Sequence, residues 1–490
     1  MNQENSRRNF VKTAGTATAF SIIGSQSVRG SQANSAVTLG LIGCGNRGMY
    51  VSGLFAKNEN LKVAAFNDIY EDKFQAAAAK YSGAKRFNSM DDLLADKSID
   101  AVLIATPAFL HPEHFERAVK AKKHIFLEKP AGVDAAGCHR VLRAAKSADP
   151  TKRISMDYQQ RYGTDYRKVH SVVKSGELGR ILQIRAAWMG GGPPIKKGHP
   201  KDQERIRNWF FYRELSGDIL IEQDCHNIDV VNWFMGTHPV RVSGHGSRMS
   251  RTDIGDIYDS LACSFQFEDG TICSYTANQF GNMVGYSDVS ETFVCEKGSV
   301  NVGRKGYTIY RPGKPNETGE TKYDITLDNV NQFVEGVRTG KIENAALWGA
   351  ESTLVAVMAL NACTSGQPMT WEKVNHFLSP LLSLPPPFPS SFLPGGRKRE
   401  GGEKREEGEG EGERGRRKKR GRERGGGGDG EKKRDRHPSS AHPLPEPDGV
   451  GEGLGEISPK EREREGAGCR WGVGAGKGDM RLRRMPADLY

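Results

Sequence analysis

A glycine-rich turn between a strand and a helix constrains this chain most. Residues 37–42 (VTLGLI) are an apolar run that predicts a buried strand, and the sequence Gly43-Cys44-Gly45-Asn46-Arg47-Gly48 follows at once. A helical pattern comes next, and a second predicted strand over residues 61–66 is followed by Asp68. The order of strand, G-x-G-x-x-G loop, helix, strand and acid predicts an α/β domain that binds a dinucleotide.

Each glycine in this loop has a mechanical role. Gly43 permits the tight turn, Gly45 lets the backbone approach a pyrophosphate, and Gly48 lets the helix pack on the strand. The N-terminus of that helix presents N–H groups and a positive dipole end to the phosphates. Asp68 is placed to accept hydrogen bonds from the adenosine ribose hydroxyls, and its charge would repel a 2′-phosphate. We therefore predict NAD, with NADP the less favoured cofactor.

Strand and helix patterns continue to alternate after this unit. Residues 99–105 and 124–127 are predicted strands, which end in Thr106-Pro107 and Glu128-Lys129-Pro130. Repeated units of this kind predict a doubly wound parallel sheet, in which ligands bind beyond the carboxyl ends of the strands. The predicted cofactor-binding residues are Gly43, Gly45, Asn46, Arg47, Gly48, Asp68, Thr106, Pro107, His111, Glu128 and Lys129. For His111, a role at the start of the following helix fits equally well.

The pattern changes after residue 155. A helix is predicted over residues 218–234, and shorter strand patterns follow from residue 240 onward. Asp269-Gly270 lies between two alternating strands and predicts a hairpin. Further helices are predicted over residues 329–338 and 345–364. The chain thus divides into a predicted first domain over residues 36–155 and a second over residues 156–378.

Three motifs together resemble one known family. The glycine loop, the A-T-P-x-x-x-H run over residues 105–111 and the Glu128-Lys129-Pro130 triplet resemble the Gfo/Idh/MocA family (glucose–fructose oxidoreductase and inositol dehydrogenase) over about residues 37–376. The resemblance implies an NAD(P)-dependent oxidoreductase with an N-terminal Rossmann domain and a C-terminal α+β domain built on an open, mostly antiparallel sheet. It also implies that Lys129 faces the nicotinamide and the reacting carbon, with a cis bond to Pro130.

The segment over residues 217–229 holds the remaining catalytic candidates. Glu222 and His226 are four residues apart, so they would share one face of a continuous helix. This spacing would also suit a metal, but the second histidine of an H-E-x-x-H motif is missing, and no metal site is predicted. The resembled family carries D-x-x-x-H here, with the histidine as acid/base. Since Glu222 replaces the aspartate, its role is less defined than that of His226.

The chemistry of alcohol oxidation assigns roles to these residues. Histidine has an ordinary pKa near ~6.5 and is suited to accept the hydroxyl proton. Lysine has an ordinary pKa near ~10.4 and orients the hydroxyl as a cation. We predict His226 as the general base, Lys129 as orienting cation or proton-relay partner, and Glu222 as a partner residue.

Polar and aromatic side chains line most sugar pockets. The candidate substrate residues of this kind are Tyr158, Arg161, Asn208, Trp209 and Tyr212, each with a structural role as the alternative. The expected reaction is oxidation or reduction of a secondary alcohol of a sugar, cyclitol or derivative. The alternatives are an NAD-dependent glycosidase, which oxidises a ring carbon only transiently, and a non-catalytic sugar-binding relative, which the presence of Lys129 and His226 disfavours.

The two ends of the chain differ from its body. Arg7-Arg8 and the weakly apolar stretch after them resemble a twin-arginine export signal over residues 1–35, with an ordinary basic N-terminus as the alternative. That signal predicts a periplasmic or otherwise exported protein with tightly bound NAD. If the segment is instead an ordinary N-terminus, we expect the protein to be cytoplasmic. Residues 379–490 lack apolar periodicity and are predicted to be a disordered tail.

Charge and hydropathy limit the classes of partner that this chain is expected to bind. The net charge of +11 is spread among interspersed acids, and no aromatic residues alternate with the basic ones, so nucleic-acid binding is not predicted. No uninterrupted apolar run reaches the roughly 18–20 residues of a membrane span. The eight cysteines form no C-x-x-C pair and are expected to be mostly free core residues. We expect a small sugar or cyclitol as substrate and a homo-oligomer formed through the C-terminal sheet.

Overall fold

Two β-sheets organise the described part of the chain, which comprises residues 36–280 and 286–375 of the computed structural model. These residues belong to one compact unit. The predicted export signal over residues 1–35 and the predicted tail over residues 379–490 lie outside the described residues. Seven cysteines occur in the described part, and all are buried and free of disulfide bonds.

The first sheet is parallel and has six strands. Its strands are β1 (Val37–Ile42), β2 (Leu61–Asn67), β3 (Lys85–Phe87), β4 (Ala101–Ile104), β5 (His124–Leu127) and β6 (Ile154–Met156). The helices of this part are α1 (Asn46–Phe55), α2 (Glu71–Lys80), α3 (Met90–Ala95), α4 (His111–Lys120) and α5 (Ala135–Lys146). The strand order β3-β2-β1-β4-β5-β6 confirms the predicted doubly wound Rossmann sheet. Its topological switch point lies between β1 and β4, where ligands of such sheets bind.

The second sheet has nine strands. They are β7 (Ile181–Gly191), β8 (Arg241–Ser247), β9 (Ser260–Gln266), β10 (Ile272–Phe280), β11 (Asp288–Cys295), β12 (Gly298–Gly303), β13 (Gly306–Tyr310), β14 (Glu317–Glu320) and β15 (Met369–Thr370). Its order is β14-β13-β12-β11-β7-β10-β9-β8-β15. The pair β7–β10 is parallel and the other pairs are antiparallel, as the resemblance implied. The predicted hairpin at Asp269-Gly270 joins β9 to β10, and Gly270 adopts a φ of +88° there.

Helices cover one face of the second sheet. The helices of this part are α6 (Thr164–Lys174), α7 (Glu204–Arg207), α8 (Arg213–Ser216), α9 (Asp218–Glu222), α10 (Cys225–Met235), α11 (Thr326–Thr339), α12 (Ala346–Ser365) and α13 (Trp371–Asn375). Helices α6, α10 and α12 pack on the sheet, while alternate residues of β9 and β10 on its other face are exposed. Alternation of this kind is typical of an antiparallel sheet with one covered face.

Helix α12 is the longest apolar element. Of the described helices, it alone is long and apolar enough to cross a bilayer, judged by length and composition, and 78% of its apolar window is buried inside the fold. It packs against α5, α10 and β8. Burial among these neighbours is typical of the core helix of a globular domain.

Helix α11 packs on the first sheet, although it follows the strands of the second in the chain. Its Phe333 is fully buried, and its ring centre lies 5.8 Å from that of Phe55 and 5.6 Å from that of Phe126. Val330 and Val334 belong to the same apolar cluster. The C-terminal segment therefore completes the core of the dinucleotide-binding half.

Candidate active site

The glycine loop combines two tightly packed glycines with one that faces open space. Gly43 has a φ of +92°, and a Cβ there would lie 2.7 Å from the carbonyl oxygen of Ala105. A Cβ on Gly48 would lie 2.0 Å from the carbonyl oxygen of Gly43, whereas a Cβ on Gly45 would meet nothing within 4 Å. Helix α1 begins here without a side-chain cap or an acidic residue in its first turn. The loop therefore fits a dinucleotide, with the pyrophosphate beside Gly45.

Asp68 anchors the loop from the end of β2. Its carboxylate accepts hydrogen bonds from the backbone N–H groups of Cys44 (2.7 Å), Ile69 (2.7 Å) and Tyr70 (3.0 Å). Burial raises the pKa of Asp68, although these N–H groups oppose the shift. The side chain is only half-buried, so part of the carboxylate remains accessible.

A residue of the second half approaches the same edge. Arg207 donates two hydrogen bonds to Asp72, at 2.7 and 3.0 Å, and its guanidinium carbon lies 4.0 Å from the ring centre of Tyr70. Tyr70 and Asp72 follow Asp68 closely in the chain. Arg207 thus joins the segment before α8 to the edge where the adenosine end of NAD is predicted to bind.

Arg47 and Glu128, both predicted to contact the cofactor, are paired with each other. Arg47 Nε donates to Glu128 Oε1 at 2.8 Å, and Arg47 Nη2 also donates to Asp157, just after β6. Burial raises the pKa of Glu128 to about 8, an effect that Arg47 opposes and Asp157 reinforces. These ion pairs tie the glycine loop to the ends of β5 and β6. Asp157 was not predicted, because β6 itself was not recognised as a strand of the first sheet.

His111 connects two of the predicted strand-end loops. It is buried at the start of α4, with Nδ1 2.7 Å from the carbonyl oxygen of Pro130 and Nε2 2.8 Å from that of Thr106. The hydroxyl of Thr106 lies 3.0 Å from His114 Nδ1, and Pro107 directly precedes a short 3-10 turn. These contacts support the alternative role of His111 at the start of the helix, since both ring nitrogens face protein carbonyls.

Lys129 forms an ion pair across the two halves. Its Nζ donates to Glu222 Oε1 at 2.8 Å and also to the backbone carbonyl oxygen of Glu222. The side chains are 9% and 12% exposed, and the Lys129–Pro130 peptide bond is cis, as the resemblance implied. Burial alone would lower the pKa of Lys129, but the Glu222 carboxylate outweighs it, and the pKa is raised. Lys129 is therefore a cation at neutral pH.

The predicted continuous helix over residues 218–234 was wrong. Helix α9 ends at Glu222 and α10 begins at Cys225, so Glu222 and His226 lie on different helices rather than on one shared face. The carbonyl oxygen of Glu222 accepts from Lys129, and the N–H of His226 instead donates to the carbonyl oxygen of Gln223 at 3.4 Å. An α-helix would need that Glu222 oxygen for the N–H of residue 226.

His226 lies in an aromatic enclosure. It is 3% exposed and stacks on Trp188, with ring centres 5.9 Å apart and planes at 17°. Tyr158 meets its ring edge-on at 6.0 Å. Burial and then the nearby cations Lys129, Arg304 and Arg47 lower the pKa of His226 well below its usual value. The imidazole is therefore neutral at neutral pH and able to accept a proton.

Three of the five predicted substrate residues have their polar groups bound within the protein. The Tyr158 hydroxyl lies 2.8 Å from Thr353 Oγ1. Arg161 donates two hydrogen bonds to Asp229, at 2.8 and 2.7 Å, and buried Asn208 bonds both backbone groups of Lys196. Of these, Tyr158 is the one that contacts His226.

The other two are half-buried. Trp209 packs beside Phe210, with ring centres 6.4 Å apart, and the Arg205 guanidinium carbon lies 4.6 Å from the ring centre of Tyr212. No contact seen in the described residues joins either side chain to Lys129 or His226. Sequence reasoning missed Trp188, whose available signal was an aromatic residue near the end of a predicted strand. The described residues also contain no cluster of three or more His, Cys, Asp or Glu side chains able to hold a metal.

Comparisons with known proteins support the same family. The oxidoreductase family model with an NAD-binding Rossmann fold, GFO_IDH_MocA, matches residues 37–156, and the GFO/IDH/MocA C-terminal domain matches residues 166–301. Together they span more than half of the chain.

Similar curated proteins match over most of their own length. Inositol 2-dehydrogenase 2 of Saccharopolyspora erythraea is 25% identical over 346 residues, covering 67% of this chain and 94% of the relative. The 2,7-anhydro-N-acetylneuraminate hydratase of Escherichia coli is 24% identical over 318 residues, covering 64% and 80%.

Solved structures share the fold. A levoglucosan dehydrogenase in complex with NADH and levoglucosan superposes with a TM-score of 0.59 at 16% identity, covering 69% of this chain and 99% of that one. At this identity the likeness concerns the fold alone. With both family models matched in order and the Rossmann loop formed as its motif requires, the chain belongs to the Gfo/Idh/MocA family of NAD-binding oxidoreductases.

Proposed function

We propose that this enzyme oxidises or reduces a secondary alcohol of a sugar, cyclitol or derivative, with NAD as its cofactor. The observation that carries the proposal is the Lys129–Glu222 ion pair, which lies at the carboxyl end of β5 near the buried neutral His226. A cation and a neutral base at the ligand-binding edge of a Rossmann sheet are the groups that alcohol oxidation requires. The inositol dehydrogenase relative acts, by its name, on a cyclitol.

Each of the three side chains has a distinct task in this proposal. Bound NAD supplies the hydride acceptor in one direction and the donor in the other. His226 takes the hydroxyl proton in the oxidation and returns it in the reduction. Lys129 donates a hydrogen bond to the hydroxyl oxygen and stabilises negative charge that develops there. Glu222 holds the ammonium group in position and keeps it protonated.

A panel of polyols tests this function directly. The purified enzyme is supplied with NAD and with inositols, hexoses or anhydrosugars, and the absorbance band of reduced nicotinamide is followed. We expect that band to grow with at least one class of sugar. In Lys129→Met and His226→Gln it should grow at least about 10²-fold more slowly. Consumption of a sugar without any change in the band would contradict net oxidation.

A redox-neutral reaction is the second candidate, and the hydratase relative is the observation that favours it. In that reaction a ring carbon is oxidised transiently, a bond at a neighbouring position is eliminated, water adds, and the carbon is reduced again. Product analysis in deuterated water distinguishes the two. The redox-neutral reaction places solvent deuterium on the carbon next to the transiently oxidised one and leaves the nicotinamide band unchanged.

A further inference from the structure

Among the described residues, Arg304 is a cation near the candidate base that has an aromatic contact but no ion-pair partner. It lies in the turn between β12 and β13, is partly buried, and makes no hydrogen bond or ion pair within the described residues; its Nε is buried and unbonded. Its guanidinium carbon lies 4.8 Å from the ring centre of Trp188, which stacks on His226 at 5.9 Å. The guanidinium is therefore no more than about 11 Å from the His226 ring.

The strand register directs Arg304 toward the helix-covered face. Val300 and Val302 of β12 are fully buried, and successive side chains of a strand alternate between its faces. Arg304 is the next residue in that alternation, just beyond the end of β12. Its neighbour in space, Trp188, is paired with Val289 of β11 on the same face. The Trp188 indole and the Arg304 guanidinium therefore lie together on the helix-covered face of the second sheet, the face on which His226 also lies.

The acids of this region leave the charge of Arg304 unmatched. Three other cations of the candidate site each form an ion pair with at least one carboxylate. The pairs are Lys129 with Glu222, Arg47 with Glu128 and Asp157, and Arg161 with Asp229. Another acid close to Arg304 is fully buried Glu291, whose carboxylate accepts hydrogen bonds from Asn227 (2.6 Å) and Tyr166 (3.3 Å). Burial raises the pKa of Glu291 to about 8, although its two hydrogen bonds and the charge of Arg304 oppose the shift. Among the described residues, Glu291 forms no ion pair with Arg304.

We propose that Arg304 binds an anionic substituent of the substrate, which is therefore an acidic sugar carrying a carboxylate or a phosphate away from the reacting hydroxyl. The planar guanidinium pairs with either group through two parallel hydrogen bonds. The guanidinium also lies over the Trp188 ring, an attraction that stabilises the cation at this position. This substrate class rests on the proposed function of the same site.

Matched sugars test the proposal on the NAD-loaded enzyme. Glucuronate and glucose 6-phosphate are compared with glucose, in the native protein and in Arg304→Gln, Arg304→Lys and the exposed neighbour Lys305→Gln. We expect one acidic sugar to exceed glucose in kcat/KM by about 10- to 100-fold, the range of a charged hydrogen bond. Arg304→Gln should lose that preference through KM, with kcat little changed, while Lys305→Gln retains it. Comparing glucuronate with glucose 6-phosphate shows whether the enzyme prefers a carboxylate or a phosphate on the sugar.

Two further measurements keep the result unambiguous. Calorimetric titration with glucuronate and with glucose 6-phosphate detects binding even if no turnover occurs, so failure of the proposed reaction is distinguished from failure of anion recognition. Arg304→Lys keeps the charge and should retain part of the preference, which guards against a folding defect in Arg304→Gln. Equal binding of glucose and both acidic sugars by the native protein, or an acidic preference unchanged in Arg304→Gln, would overturn the proposal.

Discussion

Lys129 contacts both the side chain and the backbone of Glu222. Its ammonium group pairs with the Glu222 carboxylate, and it also occupies the Glu222 carbonyl oxygen that a continuous helix would use. The chain breaks between α9 and α10 at this point, and His226 lies on the first turn of the new helix. The same lysine is thus both a candidate catalytic group and part of what positions the candidate base.

Replacing the two candidate catalytic residues should separate chemistry from cofactor binding. Lys129→Ala and His226→Ala are each expected to lower turnover by at least about 10²-fold, the usual contribution of a positioned acid or base. NAD binding, measured by fluorescence titration, should persist because the glycine loop and Asp68 are untouched. Lys305→Ala serves as an exposed control. Near-normal turnover in either variant would refute the assigned role.

The acidic limb of the pH–rate profile reports on His226. The base must be neutral, and burial and nearby cations lower its pKa, so protonation should stop the reaction only below the ordinary value of about pH 6.5. Lys129→Met removes one of those cations, so the limb measured on its residual activity should move to higher pH. A native limb at or above the ordinary histidine value would show that another group controls the profile.

At the scale of elements, α11 joins the two halves of the chain. Its apolar face completes the core of the first sheet, and Asn329 donates to Asp157 at 2.9 Å, beside the Arg47 ion pair. Helix α1, which carries Arg47, packs against α11. The cofactor loop is therefore supported by a helix that comes from the far end of the described chain.

Truncating Phe333 tests that support. Phe333→Ala removes a fully buried ring between Phe55 and Phe126 and should lower the free energy of unfolding by about 3–5 kcal/mol. Urea unfolding followed by circular dichroism measures the loss, and Phe333→Leu should lose less because it leaves a smaller cavity. Unchanged stability in Phe333→Ala would mean that α11 does not pack there in solution.

At the scale of the whole molecule, one face of the second sheet is covered by none of the described helices. One row of cross-strand neighbours on that face runs Ile272, Gln183, Val294, Ser299 and Tyr310. Its three apolar members, Ile272, Val294 and Tyr310, are 44%, 42% and 43% exposed. Apolar residues gathered on a broad exposed sheet are typical of an interaction surface. We propose that two copies of the chain associate through this face.

Charges placed on that row should separate the copies. The double variant Ile272→Lys, Val294→Lys is expected to run as a monomer in light scattering coupled to gel filtration, because burying two ammonium groups is unfavourable. Met249→Lys, which changes a 74% exposed residue outside the row, should keep the native mass. A monomeric native protein, or an unchanged assembly in the double variant, would contradict the proposed interface.

The predicted export signal has a consequence for the cofactor. We propose that residues 1–35 direct the folded protein out of the cytoplasm. Because the compartment outside the cytoplasm has no pool of free NAD to exchange with, the exported enzyme must retain its nucleotide. Purified protein is then expected to carry near-stoichiometric NAD, identified by mass after denaturation. Asp68→Ala should lose it, since the ribose contact is removed. Protein that is empty as purified would refute retention, and release of NADP would refute the role of Asp68.

Local sequence determined the elements whose signals lie within a few residues. The strand, glycine loop and helix over residues 37–55 were predicted because turn chemistry and apolar periodicity suffice there, and the strand over residues 124–127 matches β5. Tertiary structure decided the rest. At the break after Glu222, the freed carbonyl oxygen accepts a hydrogen bond from Lys129, which lies 93 residues earlier in the chain. The pairing of Arg47 with Asp157 likewise depends on β1 and β6 belonging to one sheet. Arg304 carries no local signal for a site, and the position of Trp188 near the end of a predicted strand does not indicate one by itself. Only the register of distant strands brings both residues toward His226.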